Sequence, residues 1–202
     1  MSAGMINLVR SGTKPRLAGA LTMVVCTIVL AACGSDSADG PGNPESAAVD
    51  YEAALADAPA PLAALYDEAN EILPGGLPAY DERIAGLEGR PIVVNKWASW
   101  CGPCRAEFPY FQSQAAKRGE EIAFLGIDGQ DSNAAAATFL EQLPLPYPSY
   151  SDPDLEISES LDAEREFPAT IFYGADGEIT YVHRGGYQDE AALEADIERY
   201  AQ

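Results

Sequence analysis

Apolar positions along the chain follow three spacings, and each predicts a different element. The first is unbroken: "LAGALTMVVCTIVLAA", Leu17 to Ala32, runs for sixteen residues behind Arg10, Lys14 and Arg16. It is shorter than the roughly 20 residues that span a bilayer, and a basic stretch followed by a short apolar core reads as an export signal. The second spacing is helical. Leu62, Leu65, Tyr66, Ala69, Ile72 and Leu73 recur on one face until Pro74, Gly75 and Gly76 stop the run, and a second short helix is predicted over Leu77 to Leu87.

From Ile92 onward the spacing alternates between buried-strand runs and amphipathic helices. "PIVVNKWAS" opens with β-branched residues and predicts a strand, followed by a helix over Cys101 to Gly119 with Pro109 inside it. "EIAFLGID" predicts a second strand, Ser132 to Leu143 a helix, Tyr147 to Asp152 a short strand and "LEISESLDA" a short helix. Ala169 to Tyr173 and Ile179 to Arg184 form a hairpin around an "ADG" turn, and Glu190 to Ala201 is a terminal amphipathic helix. Strands separated by helices, then a hairpin and a helix, predict an α/β domain on a mixed sheet. The organisation is a signal peptide over 1–32, a tether over 33–50, an N-terminal helical extension over 51–90 and the α/β domain over 91–202.

Composition changes this picture at the N-terminus. "LAAC", Leu30 to Cys33, resembles a bacterial lipobox, which implies cleavage before Cys33 and lipid on its thiol. The Gly/Ser/Pro/Asp-rich stretch from Gly34 to Asp50 cannot bury a core and suits a flexible tether. The expectation is an extracytoplasmic body held to the cell membrane by lipid at Cys33. The chain carries 12 basic and 32 acidic residues, a net of −20, and loss of the three basic signal residues takes it to −23. Nucleic acid is therefore not an expected partner, and neither is a basic interfacial helix on an anionic membrane.

Four cysteines would allow two disulfides, but Cys26 lies in the apolar signal and Cys33 is the expected lipid site. Cys101 and Cys104 remain, two residues apart at the junction of a strand and a helix. A thiol at a helix N-terminus is stabilised as thiolate, below its free pKa of about 8.5. A second thiol one turn on can attack a mixed disulfide formed by the first. Three other uses compete. Zinc needs four ligands, and the sequence offers no second Cys pair and a single histidine, His183, read as a surface or edge residue. A structural bridge this short constrains little of the unfolded chain. A peroxidatic cysteine is the third.

"VVNKWASWCGPCRAEFPYF" resembles the active-site strand and helix of the thioredoxin superfamily, and within it the TlpA/ResA-like membrane-anchored thiol-disulfide oxidoreductases. The resemblance runs from about Ile92 to the C-terminus. It implies a thioredoxin fold, with a mixed central sheet flanked by helices and a TlpA-like βα insertion from Gln130 to Asp152. Cys101 is by this resemblance the nucleophile and Cys104 the resolving thiol. Glu107 matches an acidic residue kept near the thiols and would take the Cys104 proton, because Asn95 stands where thioredoxins carry a buried Asp. Trp100, Phe167 and Pro168 are the implied substrate-binding residues. Pro168 matches a cis proline that faces the dithiol, and Phe167 departs from the small or β-branched residue common at its position.

The expected activity is dithiol exchange with disulfides in exported proteins, in the reducing direction, fed by a membrane thiol donor and needing no cofactor or metal. Reductants of this subfamily include those that keep apocytochrome c thiols ready for haem attachment. A disulfide-forming oxidant would use the same residues, and about 60 mV of potential, some 2.8 kcal/mol, would reverse net flow. A non-catalytic binding lipoprotein on the same scaffold is the alternative from another class. The expected state is a monomer.

Overall fold

The computed structural model describes residues 51–202. The signal, the tether and Cys33 lie outside them. Two strands form the centre, β2 (Ile92–Trp97) and β3 (Ala123–Gly129), paired in parallel from Ile92↔Ala123 to Trp97↔Asp128. Every residue of both is buried, which explains the apolar runs Ile92 to Val94 and Ala123 to Leu125 that open them: helices cover both faces. Outside β3 lie β4 (Ser149–Asp152) and then β1 (Ile72–Leu73), both parallel to their neighbours. On the other side, β5 (Ala169–Tyr173) is antiparallel to β2, and β6 (Ile179–Arg184) is antiparallel to β5 at the sheet edge. The order is β1-β4-β3-β2-β5-β6.

The helices are α1 (Tyr51–Ala54), α2 (Ala60–Tyr66), α3 (Gly76–Gly86), α4 (Gly102–Arg118), α5 (Asn133–Gln142), α6 (Glu156–Ser160) and α7 (Glu190–Tyr200). The expected α/β fold with a mixed sheet is what forms, and the βα insertion supplies α5 and β4. One element differs from the periodicity. Ile72 and Leu73 were placed on a helix, but Asn70 takes a left-handed φ of 66° and its N–H donates to the Tyr147 carbonyl, so the helix ends and β1 joins the sheet. The edge of β4 offered those backbone groups partners that no local pattern reveals.

An aromatic cluster fixes α4 and α5 on the sheet. Trp97 meets Phe108 edge-on and stacks on Phe139, both with centroids at 5.3 Å, and its Nε1–H donates to Ser149 Oγ at 3.0 Å. Gly126 makes room for this bond, since a Cβ there would stand 2.0 Å from Ser149 Oγ. On α4's outer side, Gln114 and Lys117 donate to Glu190 of α7, and Arg118 pairs with Glu194 and Glu198. Strand β2 therefore ends at the middle of the sheet, with α4 starting from its carboxyl end. Open α/β sheets place their binding crevices there.

Candidate active site

The residues just after β2 carry the dithiol. Cys101 is the N-cap of α4, and its Sγ accepts the Cys104 amide at 3.1 Å. Pro103 fits the first turn, where no N–H is needed. The two sulfurs are bonded to each other, with Cα atoms 5.3 Å apart. Cys101 keeps 4% of its surface and Cys104 none, so whatever reaches the pair meets Cys101 first.

One turn beyond Cys104, on the same helical face, Glu107 is fully buried. Its Oε1 accepts from Asn95 Nδ2 at 2.8 Å and its Oε2 from the Tyr187 amide at 3.1 Å. Burial pushes its carboxyl up to about 7, against the opposite pull of those two donors. Gly186 is where the site closes: a Cβ there would lie 3.6 Å from Pro168 Cγ and 3.7 Å from both Glu107 Oε2 and Pro103 Cβ. The dithiol turn, the glutamate and the start of β5 therefore converge on one point. The Phe167–Pro168 peptide is cis.

Trp100 is 56% exposed, with Nε1 donating to the Gln130 carbonyl at 3.1 Å. Its ring lies 4.8 Å from that of Phe167, so the residue before Cys101 meets the residue before Pro168. The structure thus brings together all the sequence-predicted site residues from Trp100 to Pro168. Cys33 lies outside the described residues. Among the described residues, no group of three or more His, Cys, Asp or Glu could hold a metal ion.

Several groups around the site were not legible in the sequence. Asp131 accepts the Ser99 amide at 2.6 Å and the Ser132 amide at 2.7 Å, tying the turn before Cys101 to the start of α5. Asp128 is buried on β3, and burial, then Asp131 and Asp152, push its carboxyl up to about 8. Lys96 is buried on β2. His183 does sit on the edge strand, but its ring stacks on Tyr187 at 4.1 Å and its Nδ1 lies 3.2 Å from Asp196 Oδ2. It thus touches Tyr187, whose amide donates to Glu107. The tie from Ser99 to Asp131 joins positions 32 residues apart and that from Lys96 to Ala163 positions 67 apart, so neither has a local signal.

The sequence profile of the Redoxin family matches residues 81–197. The thiol-disulfide oxidoreductase ResA of Oceanobacillus iheyensis is 32% identical over 106 residues, 51% of this chain and 54% of that protein. The thiol:disulfide interchange protein DsbE of Pasteurella multocida is 33% identical over 139 residues, 66% of this chain and 68% of that protein. The chain thus spans little more than half of the first of these relatives. Among solved structures, a DsbE-type protein of Chlorobium tepidum superposes with a TM-score of 0.53 at 25% identity, covering 57% of this chain and 83% of that one. A secreted Mycobacterium tuberculosis disulfide oxidoreductase gives 0.51 at 28% identity, covering 57% and 85%.

Proposed function

Because the chain belongs to the redoxin family, within the thioredoxin superfamily, we propose that it is an extracytoplasmic thiol-disulfide oxidoreductase that reduces disulfides in exported proteins through Cys101 and Cys104. The observation that carries this reading is the order of access at the head of α4: a reachable Cys101 bonded to an enclosed Cys104, with a buried carboxyl poised near 7 one turn on.

In the reduced protein, the N-terminus of α4 stabilises the Cys101 thiolate through the helix dipole and the Cys104 amide. The thiolate attacks one sulfur of the substrate disulfide, a mixed disulfide forms, and the other substrate sulfur leaves as a thiolate. Cys104 then gives its proton to ionised Glu107 and attacks Cys101 Sγ, releasing the second substrate sulfur. Two electrons pass to the substrate, and the chain is left with the Cys101–Cys104 disulfide seen here. A membrane dithiol donor returns it to the reduced form. Trp100, Phe167 and Pro168 border the surface where an extended substrate segment lies, and the disulfide of an apocytochrome c, which is reduced to the thiols that take haem, is among its substrates. Lipid on Cys33 and the 33–50 tether keep this body at the outer face of the membrane as a monomer.

Gly102 and Pro103 between the thiols, the spacer of reducing thioredoxins, support the reducing direction. The test is a redox titration of the full chain against glutathione, paired with insulin reduction. A potential below about −220 mV, with reduction abolished in Cys101→Ala, is expected. A potential above about −180 mV assigns the oxidant instead, and activity retained in Cys101→Ala assigns the binding scaffold.

A further inference from the structure

Lys96 is the least expected residue of the core. It stands on central strand β2, retains none of its surface, and lies between Asn95 and the buried Trp97. Burying an ammonium is costly unless every donor is used. Here the three donors all reach one short segment: Nζ donates to the carbonyls of Ala163 at 2.6 Å, Glu164 at 3.2 Å and Glu166 at 3.0 Å. The same nitrogen lies 3.7 Å from the centroid of the Phe167 ring. That ring is the one packed 4.8 Å from Trp100.

Gly129 on the neighbouring strand completes the arrangement. A Cβ there would stand 3.1 Å from Phe167 Cζ and 3.2 Å from Lys96 Cε, closer than side chains normally approach, so the glycine leaves space for both. From outside, Arg184 of β6 holds the beginning of the same segment through the Asp162 carbonyl at 2.8 Å. The stretch before Pro168 is thus gripped on its inner side by a buried cation and reaches the surface at Phe167.

Resting on the function proposed above, we propose that Lys96 is a positioning residue: it fixes residues 163–167 so that the Phe167–Trp100 aromatic wall stays in place to dock an extended, apolar segment of the protein substrate beside Cys101. Lys96 does not touch the reacting sulfurs in this assignment. Its effect is on how well a polypeptide seats, and a small disulfide that needs no wall is indifferent to it. The charged groups facing the ammonium are Asp152 on β4 and Glu164 and Glu166 on the segment itself; Phe167 and Gly129 contribute none. Burial lowers its pKa to about 8, against the pull of those carboxylates, so the grip is itself titratable.

The test compares two substrates on the full chain carrying Lys96→Met, which keeps the stem and removes the charge. KM for an oxidised, unfolded protein should rise about tenfold with kcat within about twofold, since a freed wall must be ordered on binding. The rate with a small aromatic disulfide, dithiobis(nitrobenzoic acid), should stay within about twofold of wild type. Equal losses with both substrates, or no change with either, overturn the assignment. A wild-type chain inert toward both would instead sink the oxidoreductase reading, so the two failures are told apart. If the variant does not fold, NMR of the wild-type chain decides. The amides of residues 163–167 and the Phe167 ring should shift with the midpoint of the Lys96 side chain itself, and shifts independent of that midpoint overturn the proposal.

Discussion

At the scale of single residues, the site turns on a carboxyl in the wrong place for a carboxylate. Glu107 is buried with two N–H donors, and its pKa is raised to about 7 from an ordinary 4.5. A carboxyl raised on folding binds more protons in the native than in the unfolded state between those values. Its contribution therefore favours folding at low pH and is lost as pH rises from 4.5 to 7. The oxidised wild-type chain should lose about 3 kcal/mol more than Glu107→Gln between pH 4.5 and 8 in urea denaturation. Parallel pH profiles would show that the carboxyl is not held in this state. In catalysis, the same substitution should slow release of the mixed disulfide at least about tenfold while the Cys101 thiolate still forms, as read by rapid alkylation. An unchanged release rate removes the proton-acceptor role.

The position of Glu107 was legible through the family resemblance, which places an acidic residue three positions after Cys104. Its environment was not, because the Tyr187 amide comes from 80 residues away. Lys96 was illegible for the same reason. A lysine between Asn95 and Trp97 gives no sign of carbonyls some 67 to 70 residues further on, and only the fold supplies them.

At the scale of elements, the sequence reads best where a period repeats and worst where a partner strand decides. The long helix α4 and the buried strands β2 and β3 carry their own signals. Strand β1 does not: two residues of helical spacing became sheet because β4 had an open edge beside them. Packing between elements depends on close approaches that a sequence shows only as an isolated glycine. Gly126 on β3 is the tightest of these, and Gly126→Ala forces Ser149 away and strains the Trp97 hydrogen bond that locks α4 and α5 to the sheet. Such overpacking costs about 1–3 kcal/mol. Thermal unfolding should show a clear drop in Tm; an unchanged Tm means that Ser149 can turn aside freely.

At the scale of the whole molecule, charge decides which substrates arrive. The chain carries a net of −20, and an acidic body concentrates cations around itself. A peptide disulfide with several lysines should react about tenfold faster than its glutamate counterpart at low salt, and the gap should close near 1 M salt, where screening acts within about 3 Å. A gap unaffected by salt would place the preference in direct contacts instead. No helix among the described residues is long and apolar enough to cross a membrane. The anchor proposed at Cys33 predicts diacylglyceryl on that residue in mass spectra of the mature protein, and an unmodified terminus elsewhere contradicts it.

The proposed function depends on Cys101 being the sulfur that meets the substrate and Cys104 the one that lets it go. The most direct measurement is covalent trapping with the full-length Cys104→Ala chain mixed with an oxidised protein substrate. A mixed disulfide through Cys101 should accumulate, disappear on addition of dithiothreitol, and be absent from Cys101→Ala. A substrate bound equally by Cys101→Ala, or no adduct in Cys104→Ala, would contradict it.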